Sequence, residues 1–239
     1  QLVLTVPPEG GNGSMVPRSL RDQYASGALS IEQIRAMGPP RVAPVYTARG
    51  QAEAEAFRMW SPEDNPRLSC KPTSIIFDWT FDWPISQIEQ RITEEGEKVI
   101  DFNYGLYSLF RRIHMEQYEH PADIVPSSQG HSIGHWEGDT LVVETTTFTG
   151  KTQSFRGTGA SSDMHSIERF TRVAEDQVNY TFTVNDLKAF EAPFTVEVPM
   201  HKMEEELYEY ACHEGNYGMV NILRGQRIED GTYIDASGN

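Results

Sequence analysis

The chain has 239 residues, enough for one substantial hydrophobic core, and its 38% hydrophobic and 10% aromatic content is that of a globular protein. Its 20 basic and 35 acidic side chains leave a formal net charge of -15, a field that disfavours nucleic-acid phosphates and anionic lipid and accommodates a neutral or cationic small ligand. No run approaches the roughly 20 apolar residues of a membrane-spanning helix, so no membrane insertion is expected.

The opening stretch QLVLTVPPEGGNGSMVP is rich in Gly and Pro and presents no periodic face, so it reads as an arm or loop. That it begins at Gln1 instead of Met reads as a mature chain after removal of a signal peptide, and a trimmed chain would look the same. Ser30 and Gln33 have the spacing of a capping box, and Ile31, Ile34 and Met37 follow at helical spacing until Gly38-Pro39-Pro40 ends the element. A second short helix is expected after Thr47, through the alanine- and glutamate-rich GQAEAEAFRMW, as far as Ser61-Pro62. An extended connector, SPEDNPRLSCKP, then carries Cys70 toward the main body. Residues 1–74 thus read as an arm with short helices packing on a β-domain of residues 75–239, the two making one structural unit.

Past residue 75, short β-rich runs alternate with turn signals. Gln87–Thr93 and Lys98–Tyr104 flank Glu94-Glu95-Gly96-Glu97, and Leu109–Glu116 follows. His131–Trp136 and Thr140–Phe148 flank Glu137-Gly138-Asp139, where glycine supplies the positive φ of a tight hairpin turn. Ser166–Val173 and Gln177–Val184 form the next pair, with Val178, Tyr180, Phe182 and Val184 alternating with polar residues and so pointing to one buried face. Phe194–Met200 and Glu206–Cys212 complete the set, Tyr217–Arg224 reads as a closing helix, and the tail after Glu229 as frayed. Consecutive hairpins without intervening helices predict a mainly β fold, an antiparallel up-and-down barrel with short N-terminal helices and a C-terminal helix.

Cys70 and Cys212 are the two cysteines, and neither belongs to a C-x-x-C pair, so a zinc or dithiol redox motif is not indicated. An oxidising compartment would let them close one long disulfide; two buried free thiols are the alternative.

Three segments, GHSIGHWEGDTLVVETTTFT (130–149), MHSIERFTRV (164–173) and LYEYACHEGNYGMVNILRG (207–225), together with DNPRLSCKP and FRRIHM, resemble a large family of exported bacterial proteins. The resemblance covers most of the chain from about Thr47 to Gly225. It implies a periplasmic or extracellular location, a lipocalin-like barrel and a Cys70–Cys212 disulfide, and it implies no particular reaction. Two departures stand out: Gly134-His135-Trp136 replaces a G-R-W pattern, and Glu116-Gln117-Tyr118-Glu119-His120-Pro121 replaces D-G-R-x-H-P. Any ligand contact made by those arginines is absent from this chain.

Histidine is the natural acid/base group near neutral pH, and the chain has seven. His131 and His135 have the H-x-x-x-H spacing of a helical metal pair, but Gly130 and Gly134 argue for a strand, where four residues span about 13 Å and one ion cannot reach both rings. A metal held by histidines from different strands stays open as a minor alternative, and no cofactor is predicted. One residue from each of several strands makes a candidate catalytic group: His131, His165, Glu168 and His213. His213 and its neighbour Glu214 must face opposite sides of a strand, so at most one of them belongs to an interior site. Against this stands the ordinary role of histidine in structural hydrogen-bond networks. Trp79, Trp83, Tyr104, Tyr107, Trp136 and Tyr210 are candidates for lining a cavity, or for plugging and filling the core. Signatures of serine hydrolases, P-loops, Rossmann folds and zincins are absent.

Three functions follow as expectations. The first is an exported enzyme of lyase, hydratase or isomerase type that uses His/carboxylate chemistry on an apolar or aromatic compound in a barrel cavity. The second is a carrier that binds such a ligand unchanged. The third is a surface-assembly subunit whose N-terminal arm adds a strand to a neighbour, with oligomerisation through that arm.

Overall fold

The computed structural model describes residues 2–5, 26–28, 30, 33, 44–58, 60–71, 86–104, 109–150, 161–202 and 217–232. These hold nine strands, β1 (Leu2–Thr5), β2 (Ser86–Ile92), β3 (Lys98–Asn103), β4 (Phe110–His114), β5 (His131–Glu137), β6 (Thr140–Thr146), β7 (His165–Arg172), β8 (Gln177–Asn185) and β9 (Phe194–Lys202). They also hold two α-helices, α1 (Ala48–Ala56) and α2 (Tyr217–Glu229), and a 3-10 turn over Pro66–Ser69. No helix among the described residues is long and apolar enough to cross a membrane. The fold is mainly β, a nine-stranded and mostly antiparallel sheet in which neighbours in sequence are neighbours in space.

Each strand expected between residues 87 and 200 is present with its ends shifted by no more than two residues. The Glu137-Gly138-Asp139 hairpin forms with Gly138 at φ 59°, the left-handed value that glycine adopts without a Cβ penalty. At the N-terminus, Ser30 and Gln33 make the reciprocal bonds of a capping box, Ser30 N donating to Gln33 Oε1 at 2.8 Å and Gln33 N to Ser30 Oγ at 3.2 Å. The helix expected beyond them lies outside the described residues, as does the strand expected at Glu206–Cys212.

Three expectations need correction. Leu2–Thr5 is a strand, not part of a loop: it pairs antiparallel with β2 and with β9, so neighbouring strands satisfy its backbone where its own sequence showed no period. The up-and-down pattern breaks once, because β4 and β5 run parallel, Ile113 opposite Ser132 and His114 opposite Ile133. Parallel neighbours need a crossover longer than a hairpin turn, which the chain supplies in residues 115–130. Finally, α1 stops at Ala56, short of Ser61-Pro62. Phe57 is extended, and Asp64 accepts bonds from both the backbone N and the Nε of Arg58, at 3.0 and 2.9 Å, which turns the chain away from the helix axis.

One face of the sheet forms the core, where Ile100, Phe102, Leu141, Phe170, Tyr180 and Phe182 pack together from four strands. The registers put Ser132, Gly134 and Trp136 of β5 on this inner face, opposite Thr145, Val143 and Leu141 of β6. A Cβ added to Gly134 would lie 2.6 Å from the Ile113 Cγ2 methyl, so glycine is what lets β4 and β5 approach there. The remaining residues of β5, His131, Ile133, His135 and Glu137, face outward.

Candidate functional site

Inside the sheet, Arg111 reaches from β4 to Glu168 on β7, a bidentate pair with side chains only 2% and 0% exposed. The Arg111 Nη1 donates to Glu168 Oε1 at 3.0 Å and Nη2 to Oε2, while Nε donates to Ser132 Oγ at 2.9 Å and Nη2 to Thr145 Oγ1 at 2.7 Å. Tyr180 donates its hydroxyl to Glu168 Oε1 at 2.8 Å, and Tyr104 OH lies 3.5 Å from Arg111 Nη1. Burial works to lower the pKa of Arg111, and the adjacent Glu168 carboxylate more than offsets it, so the guanidinium is held charged. Burial also raises the phenols of Tyr104 and Tyr180 and keeps them neutral. A buried, fully bonded ion pair of this kind ties β4 to β7 across the interior and fixes one arrangement of it.

The imidazoles gather on the opposite, outer face. His120, from the crossover, meets His131 with the two Nδ1 atoms 2.8 Å apart. His114 stacks on His131 with centroids 5.0 Å apart, and its Nδ1 lies 2.7 Å from Glu97 Oε1. His165 Nε2 is 2.9 Å from Glu144 Oε1, and the same oxygen lies 4.0 Å from His120 Nε2, a buried nitrogen without a hydrogen-bond partner. Burial lowers His131 to about 4, with His114 and His120 pushing the same way, so this ring is neutral at physiological pH. His120 is lowered as well, chiefly by burial. Among the described residues, no group of three or more His, Cys, Asp or Glu side chains is arranged to hold a metal ion.

A recess of about 530 Å³ opens at the end of the sheet where the β5–β6 and β7–β8 turns lie. Its floor is apolar, with Ile100, Phe102, Leu141 and Phe170, and Asp139, Arg172, Glu175 and Lys202 stand around it. Arg172 donates to the carbonyls of Ala174 and Glu175 at 3.2 and 2.9 Å, which holds its charge at the β7–β8 turn. Trp136, half exposed, is shared with a second groove of about 570 Å³ that includes Ile92 and Val99 and, from the crossover, Met115, Glu116 and Tyr118.

The expected catalytic group is therefore divided. His131 and His165 lie on the outer face, while Glu168 lies on the inner face bonded to Arg111, since Glu168 and His165 differ by an odd number of strand positions. His213 lies outside the described residues, as do Trp79, Trp83, Tyr107, Tyr210 and Cys212. Of the expected lining residues, Trp136 stands at both recesses and Tyr104 is packed in the core. Cys70 is disulfide-bonded. The reading of the residues missed Arg111, Glu144 and His120. Arg111 left a trace, sharing strand parity with the apolar Ile113, which marks an inward-facing cation. Glu144 had a similar one, alternating with Val143 and Thr145 so as to share the face of the outward His131.

Compared with known proteins, the chain matches no family model, no curated protein and no solved structure. What it does must be argued from its own groups.

Proposed function

We propose that this chain binds a small apolar or aromatic molecule in the paired recesses at Trp136, on a sheet that β1 closes into a lipocalin-like barrel. The observation that carries this reading is the recess of about 530 Å³, apolar in its floor and charged around it, with an indole at its edge. Ligand pockets typically occupy roughly 300–1,000 Å³ with this division of apolar wall and a few polar groups. The disulfide-bonded Cys70 supports the accompanying proposal of an exported protein, because such bonds persist in oxidising compartments. Pairing of β1 with two strands of its own chain engages the arm's first segment internally and weighs against its use as a donor strand between molecules.

The test uses N-phenyl-1-naphthylamine, a neutral fluorescent aromatic. The wild-type protein should enhance its emission saturably, and Trp136→Ala should weaken binding about tenfold, as loss of an aromatic wall worth about 1.4 kcal/mol implies. Absence of saturable binding, or equal affinity in the variant, would sink the reading.

A second reading, acid/base catalysis on an apolar compound, is favoured by one contact, the partly exposed His165–Glu144 pair at 2.9 Å, a minimal general-base unit. It places the chemistry on the outer face, away from the apolar floor. Conversion of a candidate compound by wild type and its loss in both His131→Ala and His165→Ala would establish it; full turnover in both variants would end it.

A further inference from the structure

Between Tyr118 and Pro126 the crossover is almost wholly exposed, with Tyr118 at 89% and Val125 at 82%. Its two ends are secured. Met115 N donates to Lys98 O at 3.0 Å before the stretch, and Ser127 N donates to Thr147 O at 3.2 Å after it. Glu116 and Gln117 add side-chain contacts close to the first anchor, to Lys98 at 2.9 Å and to Glu97 at 3.1 Å. Within residues 118–126, among the described residues, the hydrogen bond to the sheet is the one between the His120 ring and His131.

We propose that the His120–His131 pair is an acid-released clasp, which holds the crossover against the outer face and opens when the pair takes up a second proton. The geometry requires this chemistry. An Nδ1···Nδ1 bond needs one protonated and one bare nitrogen. A first added proton can sit on an Nε2 and leave the bond intact. A second puts N–H on both facing atoms, and attraction becomes repulsion.

The neighbours decide where those protons go. His120 Nε2 points toward Glu144 Oε1 from β6, 4.0 Å away, with His165 of β7 on the same carboxylate, so the first proton has an anion waiting. His131 faces His114 of β4 across the stacked contact, and His114 in turn contacts Glu97 at the β2–β3 turn, which Gln117 also reaches at 3.1 Å. The second proton therefore enters between two imidazoles, with its nearest carboxylate one ring away. The depressed affinity of His131 for a proton, about 4, places release in the acidic range.

Because Met115, Glu116 and Tyr118 line one of the grooves at Trp136, opening the clasp loosens a wall of the proposed ligand site. This coupling, though not the clasp itself, rests on the binding reading above.

Hydrogen exchange of the full chain tests the clasp without any ligand. Corrected for intrinsic rates, protection of the crossover's bonded amides at Ser127 and Gly130 should fall at least about tenfold between about pH 7.5 and about pH 4, while β8 is unchanged. In His120→Asn, whose amide can meet His131 but does not titrate, the segment's protection should no longer depend on pH. Ring nitrogen NMR of the wild type gives a second measure that needs no variant, with His131 remaining neutral well below about pH 6. Constant protection in the wild type, an unaltered pH dependence in the variant, or ordinary titration of His131 near 6.5 would each overturn the clasp. N-phenyl-1-naphthylamine should bind several-fold more weakly at the acid end in wild type and not in His120→Asn. If the probe binds at no pH, the binding reading and its coupling fail together, and the exchange result alone judges the clasp.

Discussion

Replacing Glu168 with alanine is expected to destabilise the protein by about 3–5 kcal/mol, because it leaves the Arg111 guanidinium in a dry interior without its anion. The hydroxyls of Ser132 and Thr145 still accept from Arg111, but neither carries the charge needed to balance it. Tyr180 also loses the 2.8 Å bond that its buried hydroxyl donates to Glu168. At about 2–4 °C per kcal/mol for a chain of this size, thermal unfolding should shift down by roughly 6–20 °C. The paired replacement Arg111→Met with Glu168→Leu should recover much of that loss, since a buried ion pair and a well-packed apolar pair of similar volume are close in free energy. A loss below about 1 kcal/mol in Glu168→Ala would mean that water reaches the pair and that the interior is less sealed than its 0% exposure at Glu168 states.

Acidification is expected to weaken the fold before most carboxylates are protonated. The unfolded chain offers His131 as an ordinary imidazole, which titrates near 6.5, whereas burial holds it at about 4 in the folded protein. Below the unfolded value, the unfolded chain takes up a proton that the native one refuses, so the equilibrium moves toward unfolding. The contribution is complete above about pH 6.5, declines as pH falls to about 4, and amounts to roughly 3 kcal/mol. His120, shifted in the same direction, adds to it. Local release of the crossover lets His131 titrate without global unfolding, so the measured loss lies at or below that figure. Urea titrations at about pH 7 and about pH 4.5 on wild type and His131→Asn measure it. An equal acid loss in both proteins would assign the effect elsewhere.

Where burial was one-sided, the strands could be read from the residues. Val178, Tyr180, Phe182 and Val184 alternate with polar neighbours, and all four are buried on one face of β8. Gly138 announced its turn through the one backbone conformation that it adopts freely. Less was legible where pairing partners, not side chains, decide the structure. β1 lies beside Pro and Gly and becomes a strand because β2 and β9 supply hydrogen bonds on both sides. Parallel pairing of β4 with β5 left no local mark, since a crossover of residues 115–130 resembles any polar loop. The candidate site suffered similarly. Strand parity could place His131 and His165 on one side and Glu168 on the other only once the registers of β5, β6 and β7 were linked. His120 sits in that crossover, and only tertiary contact reveals its partner.

The parallel junction also bears on how the sheet stays continuous. β5 and β6 share seven register positions, while β4 and β5 share two. Main-chain cohesion runs out early along this seam, and side chains take over: the Arg111 Nε bond to Ser132 Oγ spans it from inside, and the Ile113 methyl closes on the bare Cα of Gly134. On the outside, the ring of His114 lies flat against that of His131. An arginine and two histidines, which elsewhere would draw attention as reactive groups, here act as rivets on a line of the sheet that, like the β1–β9 seam, is stitched at only two register positions.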